Sequence, residues 1–394
     1  MNATPSLAPD DAASAAASAA ASIAASVAAL RAHYDAAVLP LWRGPGWNAA
    51  MQLPCEALGG ADRQPLPASR YRAMACARQL YVFSQGPGAG DAAHAGQLFD
   101  SLRRHFADAA RGGFVYSIDA QGKPLDTTKD LYTHAFVVFA CAAYAERTGS
   151  AAARTLLEDT TQLIEARFAT AHGLYHAALA EDFSPAATPA QNPIMHLTEA
   201  YLAAHALTGD SFYATRLQAL ATAVLGAFVD PATGCIAELP LAPGVAGAVA
   251  PADNRVEPGH QFEWFSLLAS APALFGGSAL AQSLARAFDF ALARGVDLET
   301  MGVAAALHLD GAPRDATQRI WAQTEFARAL AVRGDAAALA HLRAWLRAFP
   351  ARFLHAGGWH ECLAPDGTVA RAEMPSTTPY HLATAYQALA ESCG

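Results

Sequence analysis

The sequence predicts an all-α protein, an (α/α)6 barrel of six helical hairpins with short β-pieces in the loops. Three observations predict it. Text of similar pattern recurs about every 60 residues. Each recurrence holds a helix that is apolar nearly all round, followed by an amphipathic one, as inner and outer helices of a ring require. Hydrophobic residues make up 53% of the 394 and charged residues only 15%, enough for one large core.

The repeat is clearest in five segments, "LYTHAFVVFACAAYAERTG", "PIMHLTEAYLAAHALTGD", "EPGHQFEWFSLLASAPAL", "IWAQTEFARALAVRGD" and "TPYHLATAYQALAES". They align His134, His196, His260, Gln323 and His381 in one column, at spacings of 62, 64, 63 and 58 residues. Before each lies a glycine-bearing stretch such as "GGFVYSID" or "GGWHECLA", read as a short extended piece leading into a polar loop. A short turn, often Gly-Asp, then leads to a second helix such as "TGDSFYATRLQALATAVLGAF", apolar at i, i+3, i+4 and i+7. The sixth hairpin is expected from the N-terminal region, with helices around Ala20–Leu41 and Tyr71–Ser84. A linear solenoid is the competing architecture, but its repeats are usually shorter than these and need polar caps. Residues 1–18 are expected to be a disordered Ala/Ser-rich tail, and 19–394 a single catalytic domain.

The formal net charge of −9 comes without any basic cluster, so neither nucleic acid nor a membrane surface is expected as partner. The N-terminal Ala/Ser run is too weakly hydrophobic for a signal or a span. Six cysteines without a CxxC pair read as unpaired thiols of a reducing, cytoplasmic compartment. A homodimer is left open.

In a ring of inner helices the column residues converge on the axis, so His134, His196, His260, His381 and Gln323 are expected to face one cavity. Pro193, Pro258 and Pro379 stand two or three residues before three of these histidines. They place the imidazoles in the first helical turn, where the helix dipole disfavours imidazolium. Glu263 lies at i+3 from His260, on the same helix face, and is expected to hold that ring and stabilise its charged form. Tyr132, Trp264 and Trp321 offer flat faces suited to the C–H faces of a sugar. Arg78, a buried-looking cation on the first inner helix, is expected to hold a developing enediolate oxygen. Zinc is the alternative use for several histidines and an acid. The wide spacing of these residues and the lack of an HExxH motif count against it. A glycoside hydrolase would need two facing carboxylates, whereas the column is imidazole.

The stretches "ARQLYVFSQG", "NPIMHLTEAYL", "EPGHQFEWFSLL", "WAQTEFARA" and "GGWHECLAPDGTVARAEMPSTTPYHLATAY" resemble the N-acylglucosamine 2-epimerase superfamily, from about residue 40 to the C-terminus. The resemblance implies metal-independent proton transfer at C1 and C2 of a reducing sugar, without cofactor. It implies His260 and His381 as the acid/base pair, Glu263 as the partner of His260, and Arg78 as the ligand of the open-chain oxygens. It also implies His196 as a hydroxyl ligand and Trp321 as a sugar-contacting aromatic. The text "EMPSTTPYHL" and "WAQTEF" look most like mannose isomerase-type members. The expected activity is therefore D-mannose–D-fructose isomerisation, extending to D-lyxose and D-xylulose, through a cis-enediolate. A sugar 2-epimerase and a mannose-6-phosphate isomerase are the alternatives. With Lys123 and Lys129 the only lysines, no basic cluster for a phosphate is evident. The Pro/Gly/Ala-rich loop 239–256 is a candidate lid.

Overall fold

The computed structural model of the protein describes residues 9–393. Residues 1–8 of the expected 1–18 tail lie outside the described residues. Fourteen helices follow one another: α1 (Pro9–His33), α2 (Leu39–Arg43), α3 (Ala73–Gln85), α4 (Ala89–Phe106), α5 (Leu131–Thr148), α6 (Ala151–Leu163) and α7 (Gln191–Thr208). Then come α8 (Ser211–Phe228), α9 (Pro258–Ala269), α10 (Pro272–Phe275), α11 (Ala279–Gly295), α12 (Ile320–Arg333), α13 (Ala336–Phe353) and α14 (Thr378–Cys393).

Six of them pack into a closed cycle. α3 contacts α5, α5 contacts α7, α7 contacts α9, α9 contacts α12, α12 contacts α14, and α14 returns to α3. Each is buried over most of its length, as an all-round apolar helix demands. A second helix backs each one: α4 on α3, α6 on α5, α8 on α7, α11 on α9 and α13 on α12. α14 ends the described chain, and its backing helix is α1, from the opposite end of the sequence. This corrects the expected N-terminal hairpin. The helix near Tyr71–Ser84 is inner and pairs with α4, while the N-terminal helix serves the last inner one.

Local chemistry explains the turns. Gly149, Gly209 and Gly334 end α5, α7 and α12 in the left-handed conformation (φ 71°, 69° and 65°), which costs glycine little. Ser150, Asp210 and Asp335 then cap the first N–H groups of α6, α8 and α13. On the other end of the cycle, short antiparallel strands tie neighbouring repeats together. Lys129–Asp130 pairs with Ala178–Leu179 of the next repeat, and Gln318–Arg319 with Cys362–Leu363. The first N–H of the next inner helix donates to these stretches. Ala73 donates to Tyr116 O, Leu131 to Ala177 O, Gln191 to Glu238 O, and Ile320 to Glu361 O. Orphan helix N–H groups are thus satisfied while the helix starts are set in a ring.

A side chain from an inner helix clamps each of three glycine-bearing stretches. Phe114 N–H donates to Nε2 of His134 at 3.1 Å, Ile236 N–H to Oε1 of Gln261 at 2.8 Å, and Val303 N–H to Oε1 of Gln323 at 3.0 Å. Gly113, at φ 70°, precedes the first clamp, and a Cβ there would lie 2.7 Å from Nε2 of His134. Gly113→Ala is therefore expected to destabilise the fold by roughly 1–3 kcal/mol, read as a lowered midpoint in denaturant unfolding. An unchanged midpoint would remove the clamp from the account of the fold.

Candidate active site

The strand end of the helix cycle opens into a cavity of about 280 Å³, small for a ligand site. Its lining is mostly polar side chains, supplied by all six inner helices, α3, α5, α7, α9, α12 and α14, and the approaches to them. Seven of the ten expected site residues line it: Arg78, Tyr132, His196, His260, Glu263, Trp321 and His381. Three do not. His134 and Gln323 are spent on the backbone clamps, so the expected convergence of four imidazoles and a glutamine becomes three imidazoles. Trp264 is buried behind the cavity, its Nε1 donating to Oε1 of Gln191 at 2.7 Å.

Each of the three imidazoles turns Nδ1 toward a carboxylate. Nδ1 of His260 is 2.7 Å from Oε1 of Glu238 and 3.7 Å from Oε2 of Glu257. Nδ1 of His381 is 2.9 Å from Oε1 of Glu325, and Nδ1 of His196 is 3.2 Å from Oε2 of Glu199. The Nε2 atoms are left for a ligand. Glu263 does not pair with His260, against expectation. It points inward, 4.0 Å from Nδ1 of His196, and its oxygens accept no hydrogen bond among the described residues. Residue 260 sits at the third position of α9, where its ring reaches back to the preceding extended stretch and Glu238 rather than forward along the helix.

The surroundings push the imidazoles apart. Burial opposes charge on His260, but the carboxylates of Glu238 and Glu257 outweigh it and hold its pKa above the ordinary value. The helix start does not keep this ring neutral, as had been expected. Burial, reinforced by the positive field of Arg78 and by His196, drives His381 well below the ordinary range. Burial also lowers His196, against the pull of Glu199. Beneath them Glu199, Glu263 and Glu325 crowd around Arg328, which lies 3.8 Å from Glu199 and 3.4 Å from Glu325. One cation cannot balance three buried carboxylates. Burial and the neighbouring acids raise Glu263 far above the carboxylate range, and burial pushes Glu325 to about 7. An acid beside a low-affinity base and a high-affinity imidazole is the split that acid–base catalysis uses.

Arg78 is the other notable group. It is buried and forms no ion pair among the described residues. Its guanidinium donates to Tyr132 Oη at 2.5 Å and to Thr377 O at 3.4 Å, over the rings of Phe136 and Tyr380. Such a cation lacks an anionic partner. Trp321 neighbours both outer imidazoles, with ring centroids 4.9 Å from His260 and 5.7 Å from His381. A Cβ on Gly259 would stand 2.7 Å from the Trp321 ring, so only glycine admits the indole there.

Residues that sequence reasoning missed include Glu238, Glu325, Glu199, Gln191, Asn192 and Glu361. Glu199 stands at i+3 from His196, the same spacing as Glu263 from His260. Glu238 and Glu361 occupy the same place in their repeats, each carbonyl receiving the first N–H of an inner helix. Arg255 and Arg319 also line the cavity, so cations are present where no basic cluster had been evident. Of the candidate lid 239–256, Arg255 is the one side chain that lines the cavity. Three sets could hold a metal by proximity, with ligand atoms within 4.8 Å: His196/Glu199/Glu263, Glu238/Glu257/His260 and Glu263/Glu325/His381. Arg328 already supplies a cation to two of these acids.

Among the described residues no helix is long and apolar enough to cross a membrane. A family model described as N-acylglucosamine 2-epimerase (GlcNAc 2-epimerase) matches residues 59–385. The chain is 30% identical over 383 residues to a mannose-6-phosphate isomerase of Rhizobium meliloti (strain 1021), covering 91% of this chain and 94% of that protein. It is 29% identical over 305 residues to a D-mannose isomerase of Thermobifida fusca, covering 71% and 72%. A crystal structure of D-mannose isomerase superposes with a TM-score of 0.81 at 20% identity, over 92% of this chain and 97% of that one.

Two outcomes test the assignment of groups. A base that must be neutral and an acid that must be charged give a bell-shaped kcat/KM profile. Activity is expected to fall as pH drops through the lowered pKa of His381, and to fall as pH rises through the raised pKa of His260. Glu238→Gln removes the charge that raises His260, so its alkaline limb should move down by about one pH unit or more. A limb that stays put would assign that titration elsewhere. Second, His381→Ala should lose about 100-fold or more in kcat with its melting temperature kept. His134→Ala should lose roughly 1–3 kcal/mol of stability while the remaining folded protein keeps its KM. The reverse pattern would exchange their roles.

Proposed function

The chain belongs to the N-acylglucosamine 2-epimerase family, and from that premise we propose that it is an aldose–ketose isomerase interconverting D-mannose and D-fructose, extending to D-lyxose and D-xylulose. The observation that carries this reading is a buried guanidinium without an anionic partner, Arg78, beside two imidazoles of opposite proton affinity. The cycle of six inner helices, each backed by an outer one, supports naming the architecture an (α/α)6 barrel.

The roles follow from what an aldose needs. Ring opening breaks the bond between C1 and the ring oxygen: His260, kept charged by Glu238, gives its proton to the ring oxygen and takes the C1 hydroxyl proton as the carbonyl forms. The open-chain carbonyl acidifies the C2 hydrogen, and neutral His381 removes it through Nε2. The electron pair of the broken C–H bond moves into a cis-enediolate whose oxygens carry negative charge. Arg78 receives that charge, a preorganised contact of the kind that contributes most in a dry site. His260 takes the O2 hydroxyl proton and gives one to O1, while His381, its proton exchangeable with solvent, delivers one to C1, and the neutral ketose forms. His196 and Asn192 face the same cavity and are read as hydroxyl ligands, and Trp321 as the surface for the apolar face of the sugar. No metal and no cofactor has a part in these steps. Unpaired buried thiols at Cys55, Cys76, Cys141 and Cys235 support a reducing, cytoplasmic setting.

One observation favours a second substrate, mannose 6-phosphate. Arg319, over the Trp321 ring at 5.5 Å, makes no ion pair among the described residues and joins Arg255 in the cavity lining. Paired arginines suit a phosphate.

Incubation with mannose in D2O containing EDTA, followed by NMR, tests these readings together. Fructose deuterated at C1 is the expected product. Glucose deuterated at C2 would make the enzyme a 2-epimerase, and loss of turnover on chelation would overturn the metal-free mechanism. Arg78→Met is expected to lower kcat by about 100- to 1,000-fold. Mannose 6-phosphate preferred over mannose, with the preference lost in Arg319→Ala, would establish the second reading.

A further inference from the structure

Beside His260 lies a buried side chain that the mechanism above does not use. Gln191 opens α7 and is fully buried. Its Nε2 is 3.0 Å from Oε1 of Glu238 and 2.8 Å from Nδ1 of His260. Its backbone N–H donates to Glu238 O at 3.2 Å. Its Oε1 accepts from the indole Nε1 of Trp264 at 2.7 Å.

The two ends of a carboxamide have nearly the same shape, so contacts decide which end is which. An indole N–H is a donor only. Trp264 therefore requires the carbonyl of Gln191 on its side and leaves the NH2 facing Glu238 and His260. That NH2 donates to the Glu238 carboxylate and holds it against rotation. Facing Nδ1 of His260 as well, it leaves the carboxylate as the acceptor for an Nδ1 proton, so the ring is held with Nε2 toward the cavity.

We propose that Gln191, its amide locked by the Trp264 indole, is a positioning residue that holds Glu238 against His260 and fixes which ring nitrogen presents a proton to the sugar. This rests on the reading of His260 as the acid. The charged and titratable groups that face His260 from the elements packed on it are Glu238, Glu257, Arg319 and His196, with Arg255 bound to Glu257 at 3.1 Å. None of them is altered by a substitution at 191 or 264.

The test is the pH profile of kcat/KM on mannose for the wild type, Trp264→Phe, Gln191→Glu and His260→Ala. Trp264→Phe removes the locking donor and keeps an aromatic ring. The amide can then turn its carbonyl to Nδ1 and favour the charged ring, so the alkaline limb should move to higher pH while kcat falls more than KM rises. Gln191→Glu places a second carboxylate on Nδ1, and its limb should move up by on the order of one pH unit. A merely structural role would lower the melting temperature and leave the limb in place. Limbs at the wild-type position in whichever of the two variants folds, with His260→Ala inactive, overturn the positioning role alone. A His260→Ala variant that retains turnover and the wild-type limb overturns the reading of His260, and this proposal with it.

Discussion

Buried charge must be matched at close range, and at the axis of this protein that constraint decides nearly everything. Three imidazoles, six carboxylates and four guanidiniums lie in or just beneath the cavity, most of them buried. In such a medium an unpaired charge costs several kcal/mol, so an imidazole or carboxyl group either finds a partner or gives up its charge, while Arg78, which keeps its charge, is left facing the cavity for an anion. His260 finds Glu238 at 2.7 Å and keeps its proton. Glu263 accepts no hydrogen bond and keeps its proton too, to the opposite electrical effect. His381 has only Glu325, itself raised to about 7, and feels Arg78, so it stays neutral. The chemistry available to the cavity follows from this allocation.

The fold was legible because its signal is long. A repeat near 60 residues, a nearly all-apolar helix and an amphipathic successor leave few architectures, and the packing cycle of six inner helices has the expected membership. What was misplaced is the partner of the terminal inner helix. α14 is covered by α1, which lies far from it in the sequence. Local pattern describes each helix but not which of two equally amphipathic helices covers which inner one.

The site was legible by residue type and less so by direction. Successive side chains on a helix point roughly 100° apart, so a slip of one residue turns a group from cavity to clamp. His260 and Gln261 are neighbours, yet Gln261, not His260, does what His134 and Gln323 do. Aligning histidine with histidine therefore merged two different positions. The carboxylate partners were harder still. Glu238 and Glu325 are 22 and 56 residues from the histidines they hold, and only tertiary structure joins them. Glu199 was within reach of the spacing rule and its pairing with His196 was visible in "HLTE".

The third imidazole bears on the proposed proton return at C1 rather than C2. A 2-epimerase needs a charged acid on the face of C2 opposite to the base, and with His260 assigned to the sugar oxygens in the proposed mechanism, His196 is the group left to be it. Its carboxylate is shared. One oxygen of Glu199 serves both His196 and the hydroxyl of Tyr380, and the other faces Arg328 at 3.8 Å. Glu238 by contrast turns to His260 at a shorter distance, and Glu257 adds to its charge. The divided carboxylate stabilises imidazolium less, Arg78 and His260 repel it further, and burial leaves His196 below its ordinary pKa. A neutral imidazole whose Nε2 faces the cavity accepts a hydrogen bond from a sugar hydroxyl well and donates a proton to carbon poorly. In the proposed isomerisation, with His260 engaged at the sugar oxygens, His381 alone works at carbon, taking the C2 proton and delivering one to C1 on the same face of the planar enediolate.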